Sequence, residues 1–144
     1  MLQPNSLKVE VDFLQNVLIA PTKMKYQNVW GLDFSVPVMN IKEICAEKIR
    51  AMSDRARYRD FYDMYLILDK YQVNLDEILE MVGTKEVRQT ISKASILRNW
   101  QIILSQKKKE MTQIYYSREV GDSLIEEMIN GIPYLSVLSR HTEK

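Results

Sequence analysis

Residues 43–68 read EICAEKIRAMSDRARYRDFYDMYLIL, and this stretch predicts two helices joined by a short basic turn. Its apolar residues recur at spacings of three and four, which is typical of helices that bury one face. Segment 48–59 holds five basic residues and one acid, so it is a local cluster of positive charge. The stretch therefore predicts both the helical character of the chain and its main charged feature.

The first of these helices carries a lysine inside its apolar stripe. On a helical wheel of about 100° per residue, Cys45, Lys48 and Met52 fall within roughly 40° of Ile41. Glu43 falls on the opposite side, where we expect a solvated charge. Because an unpaired buried ammonium is costly, Lys48 must reach solvent or meet an anion.

Two aspartates of the second helix are the nearest candidate anions. Its wheel is apolar on nearly all sides, so Asp60 and Asp63 are expected to meet partners rather than water. Lys48 could form a purely structural ion pair with either of them, and Asp63 could instead pair with Arg59 one turn earlier. Arg55 follows Lys48 by one heptad, so a second cation is available to the same anion.

Composition limits the classes of protein to consider. The chain has 144 residues, 46% of them hydrophobic, and a formal charge of +1, which predicts a single domain without overall attraction to nucleic acid or membrane. One cysteine excludes an intrachain disulfide. Neither a membrane-spanning run nor a signal-like amino terminus is seen, so a cytoplasmic location is expected.

The rest of the chain predicts an α+β fold. Apolar and polar residues alternate over 7–13, which is typical of a half-buried strand, and 34–39 predicts another short strand. We therefore expect a strand element over residues 1–39 and a bundle of about five helices over 40–144. These are two parts of a single domain, residues 1–144.

Helix starts are marked by capping residues. Asn40 and Asn74 each precede a glutamate by three residues, which is a capping-box pattern. Thr84 is the expected cap of a further helix that would bury Ile91.

The motifs in this order resemble the carboxy-terminal half of the AbiEii/AbiGii nucleotidyltransferase toxins, within the polymerase-β-like superfamily. The resemblance is carried by 8–13 (KVEVDF), Pro21, 47–51 (EKIRA), Arg55 and 59–63 (RDFYD). It implies transfer of a nucleotidyl group from a nucleoside triphosphate to an RNA acceptor, with a cognate antitoxin as partner.

The resemblance also implies site residues. Lys48, Asp60 and Asp63 match the catalytic helix motifs, and Lys48 would contact the triphosphate, with Arg55 as the second nucleotide-binding candidate. A carboxylate on the first strand, Glu10 or alternatively Asp12, would be a magnesium ligand. Without the resemblance, both carboxylates are ordinary residues on the polar face of a strand.

The family's other two metal carboxylates belong to a Gly-Ser…Asp-x-Asp motif, which does not occur in these residues. We therefore expect the isolated chain to be inactive, and Mg²⁺ to bind only when a complementing amino-terminal half is present. The alternative is a non-catalytic remnant that binds protein or RNA, or forms a homodimer. In either case the arginines of the turn bind an acceptor backbone or simply form a solvated loop.

Overall fold

The computed structural model describes residues 16–85, 88–111, 116 and 118–139. A β-hairpin precedes five helices, which confirms the predicted α+β class. The elements are β1 (Thr22–Gln27), β2 (Asp33–Val38), α1 (Ile41–Asp54), α2 (Tyr58–Lys70), α3 (Leu75–Thr84), β3 (Ile91–Ser92), α4 (Lys93–Met111), α5 (Asp122–Gly131) and β4 (Ser136–Val137). The strand predicted over residues 7–13 lies outside the described residues.

Helix α1 is the centre of the bundle, because it packs against α2, α3 and α4. Its side chains Cys45, Ile49 and Met52 are completely buried. The other helices contribute large buried side chains to the same core, among them Phe61, Met64, Ile78, Ile96, Trp100, Ile103, Ile125 and Ile129. Burial of this apolar surface is the main driving force for helix packing.

Both ends of α1 are held by asparagines. At its start, the Asn40 side chain accepts a hydrogen bond from the Lys42 amide at 2.9 Å, so the predicted cap is confirmed. At its end, the buried Asn99 side chain of α4 donates to the carbonyls of Met52 and Ser53, both at 2.9 Å. Asn99 thereby satisfies two of the carbonyl groups that a helix end leaves without intrahelical partners.

The segment after α3 differs from the expectation. Thr84 is the last residue of α3 instead of the cap of a new helix, and α4 begins only at Lys93. Ile91 pairs with Val137 in the short β3–β4 ladder and is 1% exposed. The prediction of a helix across Ile91 was wrong because a strand pairing 46 positions away in the chain determines the local structure.

The hairpin lies outside the helical core. Strands β1 and β2 pair in antiparallel register from Thr22↔Val38 to Gln27↔Asp33, and among the described elements they contact extensively only each other. The predicted strand near 34–39 is confirmed as β2. Strand β1 was missed, although its alternation of lysines with Met24 and Tyr26 was a usable signal.

Among the described helices, none combines the length and the apolar character that crossing a membrane requires.

The Asn99 contact yields a stability prediction. We expect Asn99→Leu to lower the free energy of unfolding by about 1–3 kcal/mol, because it leaves two buried carbonyls without a donor. Urea denaturation measures the change. The control is Asn130→Leu, at an exposed position of α5, and equal effects of the two substitutions would contradict the role assigned to Asn99.

Candidate functional site

Lys48 bridges from α1 to α2. Its ammonium donates to Asp60 Oδ1 at 3.1 Å and to Asp63 Oδ2 at 2.6 Å, and its side chain is 18% exposed. The two aspartates lie three residues apart, so they share one face of α2. The lysine in the apolar stripe therefore meets the anions that the sequence predicted for it.

Asp60 is the most enclosed member of this cluster. Its side chain is 2% exposed, and Arg55 donates from Nε to Oδ2 at 2.9 Å and from Nη2 to Oδ1 at 3.4 Å. Both oxygens are thus occupied by guanidinium or ammonium groups. Arg55 follows the end of α1, and it holds the turn between α1 and α2 against the first turn of α2.

The cluster sets the protonation state of its central carboxyl. Burial of Asp60 opposes ionisation, but hydrogen bonds from Arg55 and Lys48 outweigh it and hold the pKa below its usual value. The same hydrogen bond raises the pKa of the Arg55 guanidinium. Lys48 and Arg55 balance Asp60 and Asp63, so the four groups carry no net formal charge.

A second charged cluster was not predicted from the sequence. Glu43, expected to face solvent, is completely buried, and Lys85 donates to its Oε2 at 2.5 Å. The Glu43 carboxylate also accepts hydrogen bonds from the amides of Leu18 and Ile19, the latter at 2.8 Å. The expectation was wrong because segment 16–19 covers this side of α1, which a helical wheel does not include.

Lys85 joins Glu43 to the rest of α1. Its ammonium also lies 3.0 Å from Glu47 and donates to the Asn16 carbonyl at 2.8 Å. Burial would raise the pKa of Glu43, but its hydrogen bonds to Lys85, Ile19 and Leu18 lower it overall. Because Glu47 precedes Lys48, this cluster connects the chain entering β1 to the helix that carries the candidate site.

The structure thus brings Lys48, Arg55, Asp60 and Asp63 together. It does not bring Arg59 to Asp63, whose ion-pair partner is Lys48 instead. Arg57 and Arg59 are exposed on the turn and the first turn of α2. Glu10 and Asp12 lie outside the described residues, so their metal role stays a prediction.

The described residues do not fit a magnesium ion. No group of three or more histidine, cysteine, aspartate or glutamate side chains is arranged for a metal within the described part of the chain. Mg²⁺ needs free carboxylate oxygens, but both oxygens of Asp60 bind cationic side chains and Asp63 binds Lys48.

Two further features do not belong to the site. Burial raises the pKa of the Cys45 thiol to about 11, so this cysteine is not a ready nucleophile at neutral pH. An open groove of about 450 Å³, lined by residues such as Tyr65, Leu68 and Met128, includes none of the predicted site residues.

The two cations around Asp60 yield a prediction of non-additivity. We expect Lys48→Met or Arg55→Met alone to lower the free energy of unfolding by about 1 kcal/mol, because the other cation still pairs with Asp60. The double variant should lose about 3–5 kcal/mol, because it leaves a buried carboxylate unpaired.

Urea denaturation of the four proteins measures this coupling. Lys42→Met is the control, since its partner Glu77 is 49% exposed and such pairs contribute little. Strictly additive losses would mean that the cations do not share Asp60.

The lowered pKa values predict acid sensitivity. A carboxyl with a depressed folded-state pKa stabilises the fold above its ordinary value, and this stabilisation is lost as the pH falls through the lowered value. The ordinary values are 3.8 for Asp60 and 4.5 for Glu43.

The urea midpoint should therefore decline below about pH 4.5. Asp60→Asn should make this decline shallower, whereas Asp76→Asn, at an exposed position of α3, should leave it unchanged. An Asp60→Asn profile parallel to that of the wild type would contradict the assignment.

Comparison with known proteins adds one finding. The family model described as "Nucleotidyl transferase AbiEii toxin, Type IV TA system" matches residues 2–129. No curated protein and no solved structure matches the chain significantly. The match covers most of the 144 residues, including the helices that carry Lys48, Arg55, Asp60 and Asp63. The chain therefore belongs to the AbiEii family of nucleotidyl transferase toxins of type IV toxin–antitoxin systems.

Proposed function

We propose that this chain supplies the lysine- and aspartate-bearing helices of a nucleotidyltransferase site. The reaction is transfer of a nucleotidyl group from a nucleoside triphosphate to an RNA acceptor. The observation that carries the proposal is the position of Lys48, whose ammonium lies 3.1 Å from Asp60 and 2.6 Å from Asp63. The motif of residues 47–51 thus supplies a partly exposed lysine, and the motif of residues 59–63 supplies the two aspartates that contact it.

The exposures suggest how an anion would enter. Asp60 is 2% exposed and is held by Arg55 as well, so it keeps the Lys48 ammonium in place. The Asp63 side chain is 35% exposed, so a phosphate oxygen can replace its carboxylate as a hydrogen-bond acceptor of the Lys48 ammonium. Lys48 then acts as a point charge on the triphosphate, and the half-exposed Arg55 offers its remaining donors to the same group.

The metal ligands must come from outside the described residues. Glu10, or Asp12 in its place, is the candidate carboxylate of this chain, and one carboxylate does not hold two magnesium ions at useful affinity. We propose that a polypeptide with the Gly-Ser…Asp-x-Asp motif supplies the other two carboxylates. This would make the site a composite of two parts.

Family membership also bears on the partners. Type IV toxin–antitoxin systems pair a toxin with an antitoxin, and we propose an antitoxin partner for this chain on that ground. The exposed arginines Arg57 and Arg59 follow the site along the chain and suit contacts to an RNA backbone.

A second candidate function is a non-catalytic binding module. The observation that favours it is the exposed apolar side chains of the hairpin, including Val29 at 91% and Trp30 at 83% exposure. Large exposed apolar side chains in a cluster are typical of interaction surfaces. Activity measurements distinguish the two functions.

The composite site yields an activity prediction. The 144-residue chain with Mg²⁺, labelled nucleoside triphosphates and tRNA should incorporate no label, because the Gly-Ser…Asp-x-Asp motif is missing from these residues. Addition of a polypeptide carrying that motif should produce incorporation.

Within the reconstituted system, Lys48→Ala should abolish incorporation, and Lys42→Ala, at a more exposed position of the same helix, should not. Robust incorporation by the chain alone, sensitive to Lys48→Ala, would refute the composite site. Failure of every supplied motif-bearing polypeptide to restore activity would favour the binding module.

A further inference from the structure

The open groove of about 450 Å³ runs between the second half of α2 and one face of α5, and we call it the α2–α5 groove. On α5 it is lined by Leu124, Met128 and Gly131, whose spacings of four and three place them on one stripe of the helix. Leu68 of α2 and Leu75, the first residue of α3, complete the apolar lining. Leu124 is 44% exposed, so folding of the described residues leaves this apolar surface uncovered.

The helices around the groove are acidic. Helices α3 and α5 each carry three acidic residues and no lysine or arginine. Asp69 and Glu127 line the groove itself. Asp69 pairs with Arg118, whereas Glu127 forms no ion pair with another described residue. The groove therefore combines an apolar lining with a negative edge.

A second open groove, of about 420 Å³, adjoins the first at the start of α3. Consecutive residues of α3 line the two grooves, Leu75 the first and Asp76 the second. The second groove is also lined by Glu80 and by Tyr134, which is 87% exposed. Neither Asp76 nor Glu80 forms an ion pair with another described residue. The same combination of apolar and acidic groups thus extends across the start of α3.

The charge of this surface does not suit an anionic ligand. A nucleic acid backbone or an anionic membrane would be repelled by the acidic residues of α3 and α5. The exposed arginines proposed for RNA contacts are at the other end of α2, where Arg59 precedes Asp69 by ten residues of helix, or about 15 Å. The α2–α5 groove is therefore separate from the RNA contacts.

The local secondary structure favours a helical ligand. Strands β3 and β4 have two residues each, so their edges offer few backbone groups to an added strand. A groove between two helices instead accepts a third helix, whose apolar side chains at spacings of four and three enter it. The lined stripe of α5, from Leu124 to Gly131, is about 10 Å long and matches two turns of such a helix.

We propose that the α2–α5 groove binds an amphipathic helix of a partner polypeptide, with lysine or arginine beside the apolar face of that helix. Its apolar side chains contact Leu68, Leu124 and Met128, and the flexible methionine adapts to their shape. Its cations face Glu127 and Asp76, and this complementary charge selects a basic partner over an acidic one. The inference does not depend on the proposed nucleotidyl transfer.

Fluorescence anisotropy with the whole chain and three short labelled peptides tests the proposal. The first peptide has leucines at spacings of four and three, flanked by lysines. The second has glutamates in place of the lysines, and the third has the composition of the first with its leucines scattered around the helix. The first should bind at least about tenfold more tightly than the other two. Equal affinity for the first peptide and either of the others would overturn the proposal.

Two substitutions in the groove test where the first peptide binds. Leu124→Gln and Glu127→Lys should each weaken its binding about tenfold or more. The matched controls are Leu97→Gln, at a residue of α4 that is 37% exposed, and Asp33→Lys, at an exposed residue of β2. The controls should change the affinity less than about twofold, because distant exposed charges are screened by salt. Controls that weaken binding as much as the groove variants would contradict the assignment.

Methyl NMR of the wild-type chain gives a readout that does not rely on variants. The methyl resonances of Leu68, Leu75 and Met128 should shift when the first peptide is added, and those of Leu97 should not. Shifts that leave the three groove residues unchanged would overturn the proposal. So would sedimentation that shows a dimer of the chain alone, dissociated by Leu124→Gln, because a second copy would then occupy the groove.

Discussion

The Asp60 carboxylate, buried between α1 and α2, is the constraint around which the candidate site is built. It is 2% exposed and accepts hydrogen bonds from Lys48 and Arg55. A carboxylate in this environment is stable only while cations compensate its charge. Lys48, Arg55 and the α1–α2 turn are consequently fixed relative to one another. Asp63, on the same face of α2 as Asp60, forms a second ion pair with Lys48.

The position of α1 explains why this small cluster has wide consequences. The helix packs on α2, α3 and α4 through completely buried side chains, and its end is capped from α4 by Asn99. Its first turn also binds segment 16–19 through Glu43, with Lys85 as the counter-ion. One helix thus connects the apolar core, the candidate phosphate-binding cation and the chain that enters the hairpin.

The two charged clusters differ in what they connect. The Lys48 cluster joins neighbouring helices and leaves a cation partly exposed, which suits an anion-binding role. The Glu43 cluster is almost completely enclosed and contacts backbone groups of segment 16–19, which suits a positioning role. Together they place the beginning of the hairpin next to the helix of the family's lysine motif.

Local pattern was sufficient for much of this structure. The sequence by itself determined the α+β class, the helices at α1, α2 and α3, the Asn40 cap and the lysine that needs an anion, because these follow from spacings within one or two turns. Only the tertiary structure decided that Ile91 forms a strand with Val137 and that Glu43 is buried against Lys85. Those outcomes depend on groups more than forty positions apart, and no helical wheel or propensity contains the approach of such distant segments.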